Sequence, residues 1–487
     1  MAQQIGFPKA LSNEASSFSL PEGISSYQVK VVPSNLSQVS SIPTALGAAA
    51  SALANINLPN TSTNIIFDLP VGGNKSLFLD NRLTFLCFRV AYTVTSPNAQ
   101  VFTTCNLRSN ALSFFNRMYT ESNGIILDDI PNLDVVQDFC LNNSFNVADR
   151  DSVAILYGLN YEVATGGVNS NQGHFLQGIS GTTLSATTTV YYSYCIPLSL
   201  NSIIGQNAKK MLNIGALNNL RVNLQTSNVV PVNMSASGNT AAGVFSCVMD
   251  NISIVCQYLD IGLQAYQLLN KSETQVITSH TYRVSTNILP SAVTGTQQLL
   301  VGIRGSSVHY IASRFQNSDF SSTGSWNGIF DSKVPAASSI CYNISGQLYP
   351  SNNLDLLRNP AQVFMETQKA FGNFDGDHGF KSSCVPSQYF ITLNPTANLP
   401  ADSDEVYTVA TTNTTLQNLA NFCFAYSLKK YSKDGILDGQ NLNVSSGSTF
   451  LQLTLTVGPP NNVTVFNIAK MDIVYIIDSN GNIQVRM

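Results

Sequence analysis

Charge is what this sequence has least of. Asp, Glu, Lys and Arg make up 11% of its 487 residues, against roughly 25% in ordinary soluble domains. Asn, Ser, Thr and Gln fill the gap. So much uncharged polar surface suits large contacts between subunits, where an isolated charge would be costly to desolvate. The net charge is −4, and no basic cluster exceeds the pairs Lys209-Lys210 and Lys429-Lys430. The basic stripe with which a protein grips phosphates is missing, so strong direct nucleic-acid binding is not expected.

Other absences narrow the chemistry. The nine cysteines are odd in number and show no CxxC spacing, which argues against a disulfide framework or a zinc site. Cys87 in LTFLCFRV and Cys256 in ISIVCQYL sit in apolar runs, where a thiol behaves as a small buried hydrophobe. No apolar run reaches the roughly eighteen residues of a membrane span. The opening MAQQIGFPKALSNEASSF lacks the basic start and apolar centre of a signal peptide. A reducing compartment inside the cell is therefore expected, and the Asn-x-Ser/Thr triplets at Asn60, Asn233, Asn343 and Asn462 read as a by-product of composition. His174, His280, His309 and His378 are far apart in sequence and form no HExxH pair, so each is expected to be a loop or strand residue and not a ligand. There is no GxSxG elbow and no GxxxxGK[ST] loop. No catalytic residue and no cofactor are expected. In FGNFDGDHGF, Asp375, Asp377 and His378 crowd a Gly-rich turn. Its alternating carboxylates could offer oxygens to Ca²⁺, but the Glu and remaining ligands of an EF-hand loop are missing. A solvated turn is the favoured reading, which leaves Asp375 and Asp377 as a weak cation candidate.

What is present is β-structure. Tyr191, Tyr192, Tyr194, Ile196 and Leu198 mix aromatic and β-branched residues, and Leu220, Val222 and Leu224 alternate with Arg221, Asn223 and Gln225 at the period of a half-buried strand. IIFDLPV, LTFLCFRVAYTVT, GVFSCVMDNISIVCQYLDIG, QQLLVGIRGSSVHYIASRF and STFLQLTLTV read the same way. Asn123-Gly124 marks a tight turn into Ile125–Leu127, and Ser479-Asn480-Gly481 a hairpin near the end. Two short helices are expected. One follows Ser109 or Asn110, with Leu112, Phe115, Met118 and Tyr119 at helical spacing; the other begins at Pro360 and carries Val363, Phe364 and Ala370. Residues 1–61 read as an N-terminal arm rich in Ser, Ala, Asn and Pro, whose stretch Ala45–Ile56 could form a short helix against a partner. The length suits two β-sandwiches, over 62–265 and 266–487, with no repeat between them visible in the sequence.

Four passages carry a resemblance. They are SNALSFFNRMYTESNGIILDDIPNLDVV, YCIPLSLNSIIGQNAKKMLNIGALNNLRVNLQ, CYNISGQLYPSNNLDLLRNPAQVFMETQKAFG, and FAYSLKKYSKDGILDGQNLNVSSGSTFLQLTLT with the closing Asn-Gly turn. Their order and spacing over residues 62–487 resemble the double jelly-roll major capsid proteins of double-stranded DNA viruses of the polinton-like, adintovirus and virophage type. The arm and the loop Gln316–Ala337 lie outside the likeness. The resemblance implies an all-β chain of two eight-stranded jelly rolls in tandem, with a few short helices and long loops. It also implies a homotrimeric, pseudo-hexagonal capsomer in an icosahedral shell, neighbouring capsomers, and penton and minor capsid or cement proteins as partners. The virion capsid would be its place, after assembly inside the host cell. The loops Ala164–Thr188 and Gln316–Ala337 are then expected to form outer towers or trimer contacts. The alternative is a β-sandwich adhesion or carbohydrate-binding protein without catalysis, which would be a monomer with an exposed groove. A β-rich hydrolase would need convergent groups that no spacing favours.

Overall fold

The computed structural model describes residues 25–36, 56–58, 63–70, 75–95, 100–107, 110–144, 147–159, 176–177, 179, 182–184, 187–205, 211–217, 219–227, 231–237, 244–269, 275–317, 335, 337–356, 359–372, 422–430, 437–443, 449–459, 461–478 and 481–487. The first half contains β1 (Ser25–Val31), β2 (Ile56–Leu58), β3 (Asn64–Leu69), β4 (Leu77–Thr95), β5 (Gln100–Leu107), β6 (Phe115–Ser122), β7 (Ile125–Pro131), α1 (Leu133–Ser144) and α2 (Val147–Tyr157). It continues through β8 (Thr182–Leu184), β9 (Thr188–Pro197), β10 (Leu212–Asn213), β11 (Leu220–Thr226), β12 (Val232–Ser237) and β13 (Val244–Asp260). Helix α3 (Gly262–Leu269) leads to the second half: β14 (Gln275–Leu289), β15 (Gly295–Leu300), β16 (Val308–Asn317), β17 (Ala337–Ile344), β18 (Gln347–Leu354), α4 (Pro360–Ala370), β19 (Cys423–Ser427), β20 (Thr449–Leu455), β21 (Val463–Ile477) and β22 (Ile483–Arg486).

The same topology occurs twice. In the second half the sheets run β14-β21-β16-β19 and β15-β20-β17-β18. Numbering those eight strands along the chain gives the orders 1-8-3-6 and 2-7-4-5, the paired Greek keys of a jelly roll. In the first half β1-β13-β4-β9 and β3-β11-β6-β7 give the same two orders. The additions to this frame are β22 in the second roll, and β2, β10 and the separate sheet β12-β5-β8 in the first. Neighbouring strands of these sheets are antiparallel, so β4 ends, and β9 and β13 begin, at one end of the first roll. The connections β4–β6, β7–β9 and β11–β13 hold β5, β8 and β12 respectively, so the third sheet is assembled by three insertions at that end.

Alternation builds both cores. Leu220, Val222 and Leu224 of β11 are buried, as are Thr449, Leu451, Leu453 and Leu455 of β20. Each such large side chain withdrawn from water contributes roughly 1.5–3 kcal/mol. In the first roll Phe88 meets Phe115 edge-on at 5.5 Å and Tyr194 at 5.3 Å, and the hydroxyls of Tyr92 and Tyr194 satisfy each other at 2.6 Å.

Several expectations change. Asn110 does cap a helical turn, accepting from the Leu112 amide at 2.9 Å, but Ala111–Phe114 is a single 3₁₀ turn and Phe115 onward is strand β6. Pairing with β7 and β11 on both sides outweighs the helical spacing of Leu112, Phe115 and Met118. Of the two expected helices only the one at Pro360 forms, as α4, and α1, α2 and α3 come in addition; in α1, Leu133, Val136, Phe139 and Cys140 are buried at helical spacing. The segment read as an arm contributes β1, an edge strand paired with β13 from Ser25↔Asp260 to Val31↔Ile254, and β2, which pairs β13 farther along. Its polar sequence SSYQVKV suits an edge, where only Val31 is buried. Residues 45–55 lie outside the described residues, as do most of the loops 164–188 and 316–337.

Candidate functional site: the seam between the rolls and a histidine cluster

The two rolls meet at β14, and the first roll grips that strand from both faces. Successive residues of a strand point to opposite sides. On one side, Thr281 Oγ1 donates to Asp128 Oδ1 of β7 at 2.5 Å, Ser279 Oγ donates to the Ser202 carbonyl, and Arg283 Nη1 donates to the Asp129 carbonyl at 2.6 Å. On the other, Tyr282 bonds the Cys140 thiol of α1. Beside it Phe371, after α4, stacks edge-on between Phe139 at 5.4 Å and Tyr310 at 5.3 Å.

The turn 201–205 completes the seam. Asn201 Oδ1 accepts from the Ile203 and Ile204 amides at 3.2 and 3.0 Å, while its Nδ2 donates to Thr120 Oγ1. That fixes Ser202, whose amide donates to Asp128 Oδ2 at 2.8 Å and whose hydroxyl meets Tyr475 of β21 at 2.5 Å. Tyr475 also donates to the Leu127 carbonyl at 3.2 Å. Burial raises the Asp128 carboxyl above its ordinary value, and the Thr281 and Ser202 donors offset only part of that. A buried ion pair, Arg314 Nη1 to Asp138 Oδ2 at 2.5 Å, joins β16 to α1. Every member of this set is buried or half-buried, so the seam is a packed interior and not a cleft.

A second cluster lies on three adjacent strands of the second roll. His280 of β14 stands opposite Asp472 of β21, and His309 of β16 sits in the β-bulge between the pairs Val308↔Met471 and Tyr310↔Lys470. His309 Nε2 is 2.9 Å from Asp472 Oδ2, and His280 Nδ1 is 3.0 Å from Asp472 Oδ1; the two rings are 4.9 Å apart. Ser307 Oγ donates to Asp472 Oδ2 at 2.5 Å, and the Leu437 amide donates to the same oxygen at 2.9 Å. Gly439 lets the 437–440 turn lie this close, because a Cβ there would fall 2.5 Å from the Val308 amide nitrogen. Burial pushes the Asp472 carboxyl up, but the polar contacts of His280, His309 and Ser307 together hold it well below the usual carboxylate range. Burial lowers His280.

No spacing along the chain signals this grouping: His309 and Asp472 are 163 residues apart. His174, Asp375, Asp377 and His378 lie outside the described residues. In the first roll Cys87 and Cys195 are cross-strand partners with Sγ atoms 3.1 Å apart, and the Cys87 thiol holds Cys195 down to about 7.

No family model and no curated protein matches the sequence. Solved structures do match it. The mavirus major capsid protein aligns over 100% of this chain and 92% of its own, at 11% identity and TM-score 0.54. A chain of the Sputnik virophage aligns over 94% and 93%, at 15% identity and TM-score 0.55. The Faustovirus major capsid protein aligns over 95% and 92%, at 9% identity and TM-score 0.52. The fold is the double jelly roll of viral major capsid proteins. The double jelly roll covers both halves of the chain, and the seam residues of β7, β14 and β21 are what join its two rolls.

Proposed function

We propose that this chain is a non-catalytic major capsid protein that assembles as a homotrimer. Each chain supplies two rolls, β1–β13 and β14–β22, and three chains supply the six of a pseudo-hexagonal capsomer. The observation that carries the proposal is the repeated 1-8-3-6 and 2-7-4-5 topology within one chain. A closed symmetric assembly needs complementary side patches on every copy. The low charge of the sequence suits wet polar contacts of that kind, and Ile155, Leu263, Val276 and Ile288 add exposed apolar points to the outer surface. Tiling then brings neighbouring capsomers, penton and minor capsid or cement proteins as partners and the virion capsid as location. The third sheet, β12-β5-β8, is the natural base of a tower on the first roll.

Light scattering of the purified chain, with negative-stain images of the same peak, tests this. A species near three times 52.5 kDa with a hexagonal outline is expected. A 52.5 kDa monomer, unchanged by concentration and salt, would overturn the capsomer reading in favour of a ligand-binding sandwich.

A further inference from the structure

We propose that His280, His309 and Asp472 form a divalent-metal site, with Zn²⁺ the ion of best fit, that pins β14, β21 and β16 of the second roll together. One ligand atom from each of the three residues lies within 4.8 Å of the other two. In tetrahedral zinc sites with bonds of about 2.0–2.2 Å to imidazole nitrogen and carboxylate oxygen, neighbouring ligand atoms stand about 3.3 Å apart. The contact of His280 Nδ1 with Asp472 Oδ1, 3.0 Å, needs to open by only a few tenths of an ångström, and His309 Nε2 stands 2.9 Å from the other oxygen, Oδ2.

The unsatisfied atoms point the same way. Asp472 Oδ1 and His280 Nδ1 are both buried and make no hydrogen bond among the described residues, although they face each other at 3.0 Å. Two close polar atoms that are misaligned for a hydrogen bond have their lone pairs directed off the line between them, where a shared ion would lie. Burying such atoms unpaired is costly, and an ion would recover that cost. The other oxygen, Asp472 Oδ2, is fixed by Ser307 and Leu437, and this orients the carboxylate in the way outer partners orient metal ligands. His309 Nδ1 has no hydrogen-bond partner among the described residues, so that ring can carry its proton there and present the Nε2 lone pair. Asp472 and His309 are sealed off, whereas the His280 side chain is 28% exposed. The donors are two imidazoles and one carboxylate, which suits Zn²⁺ and disfavours the all-oxygen preference of Ca²⁺ and Mg²⁺.

The test uses the full chain, stripped with EDTA and dialysed. Titration with Zn²⁺ in a calorimeter is expected to show one site per chain, and Co²⁺ in its place is expected to give the intense visible bands of a low-coordinate N/O site. His280→Ala changes the most exposed ligand and is expected to weaken Zn²⁺ binding at least tenfold and abolish the Co²⁺ bands, with the native mass and circular dichroism unchanged. Should that variant fail to fold, the Co²⁺ spectrum of the unaltered chain still decides. Absence of any saturable site in the unaltered chain would overturn the proposal, as would unchanged affinity in His280→Ala. Mg²⁺ binding in preference to Zn²⁺ would do the same.

Discussion

Asp128 shows how a single side chain can set the pH response of the seam. It is held by neutral donors, Thr281 Oγ1 and the Ser202 amide, while Arg283 bonds the neighbouring Asp129 carbonyl. Burial outweighs these and raises its folded pKa above the 3.8 of an ordinary aspartate. A raised carboxyl binds its proton more tightly folded than unfolded. Its favourable contribution is therefore complete below the unfolded pKa and is lost as pH rises through the folded one. Urea titrations at a series of pH values from about 4 to about 7 should show wild type losing ground to Asp128→Asn as pH rises. A stability difference that stayed flat across that range would mean Asp128 ionises normally. None of this is visible in LDDIPN, where nothing local distinguishes the two adjacent aspartates. Burial comes from Ser202 and Thr281, which are 74 and 153 residues away.

At the level of elements, the sequence was clearest where one face is buried and the turn chemistry is local. Leu220, Val222 and Leu224 predict β11, and Pro360 predicts α4, which starts behind the Asn359 cap. The pair Asn123-Gly124 predicts the β6–β7 hairpin, and both residues have positive φ, 50° and 77°, as the turn that matches strand twist requires. Gly124→Ala should cost about 1–2 kcal/mol even though a Cβ there would meet nothing within 4 Å. The cost would come from backbone conformation alone and would be read from the shift in denaturation midpoint. A midpoint equal to wild type would show that the hairpin relaxes without loss. The misreading of 110–119 has the opposite cause: a helical spacing of apolar residues also fits a strand buried on one face and paired on both sides. Strand β1 was missed because an edge strand has little apolar surface to advertise. The histidine cluster was missed for a different reason: its members are neighbours only through strand pairing, so no spacing along the chain encodes them.

Across the whole molecule, the duplicated topology is unrecognisable in sequence because each roll satisfies the same strand order with different side chains. The rolls are also fused more firmly than a linker would fuse them. A protease site placed within residues 270–274, between α3 and β14, and then cut should yield two fragments that travel together in native size-exclusion chromatography and part only in denaturant. Fragments that separated in buffer would show that the connection, and not the seam, holds the pair. Ser202, Asp128, Tyr475 and the Arg314–Asp138 pair tie the two sandwiches together among the described residues. In the shell proposed above, a pair of rolls tied in this way would act as one unit, and curvature would fall at the borders between chains, where the low charge of the sequence would suit contacts that slide and re-form.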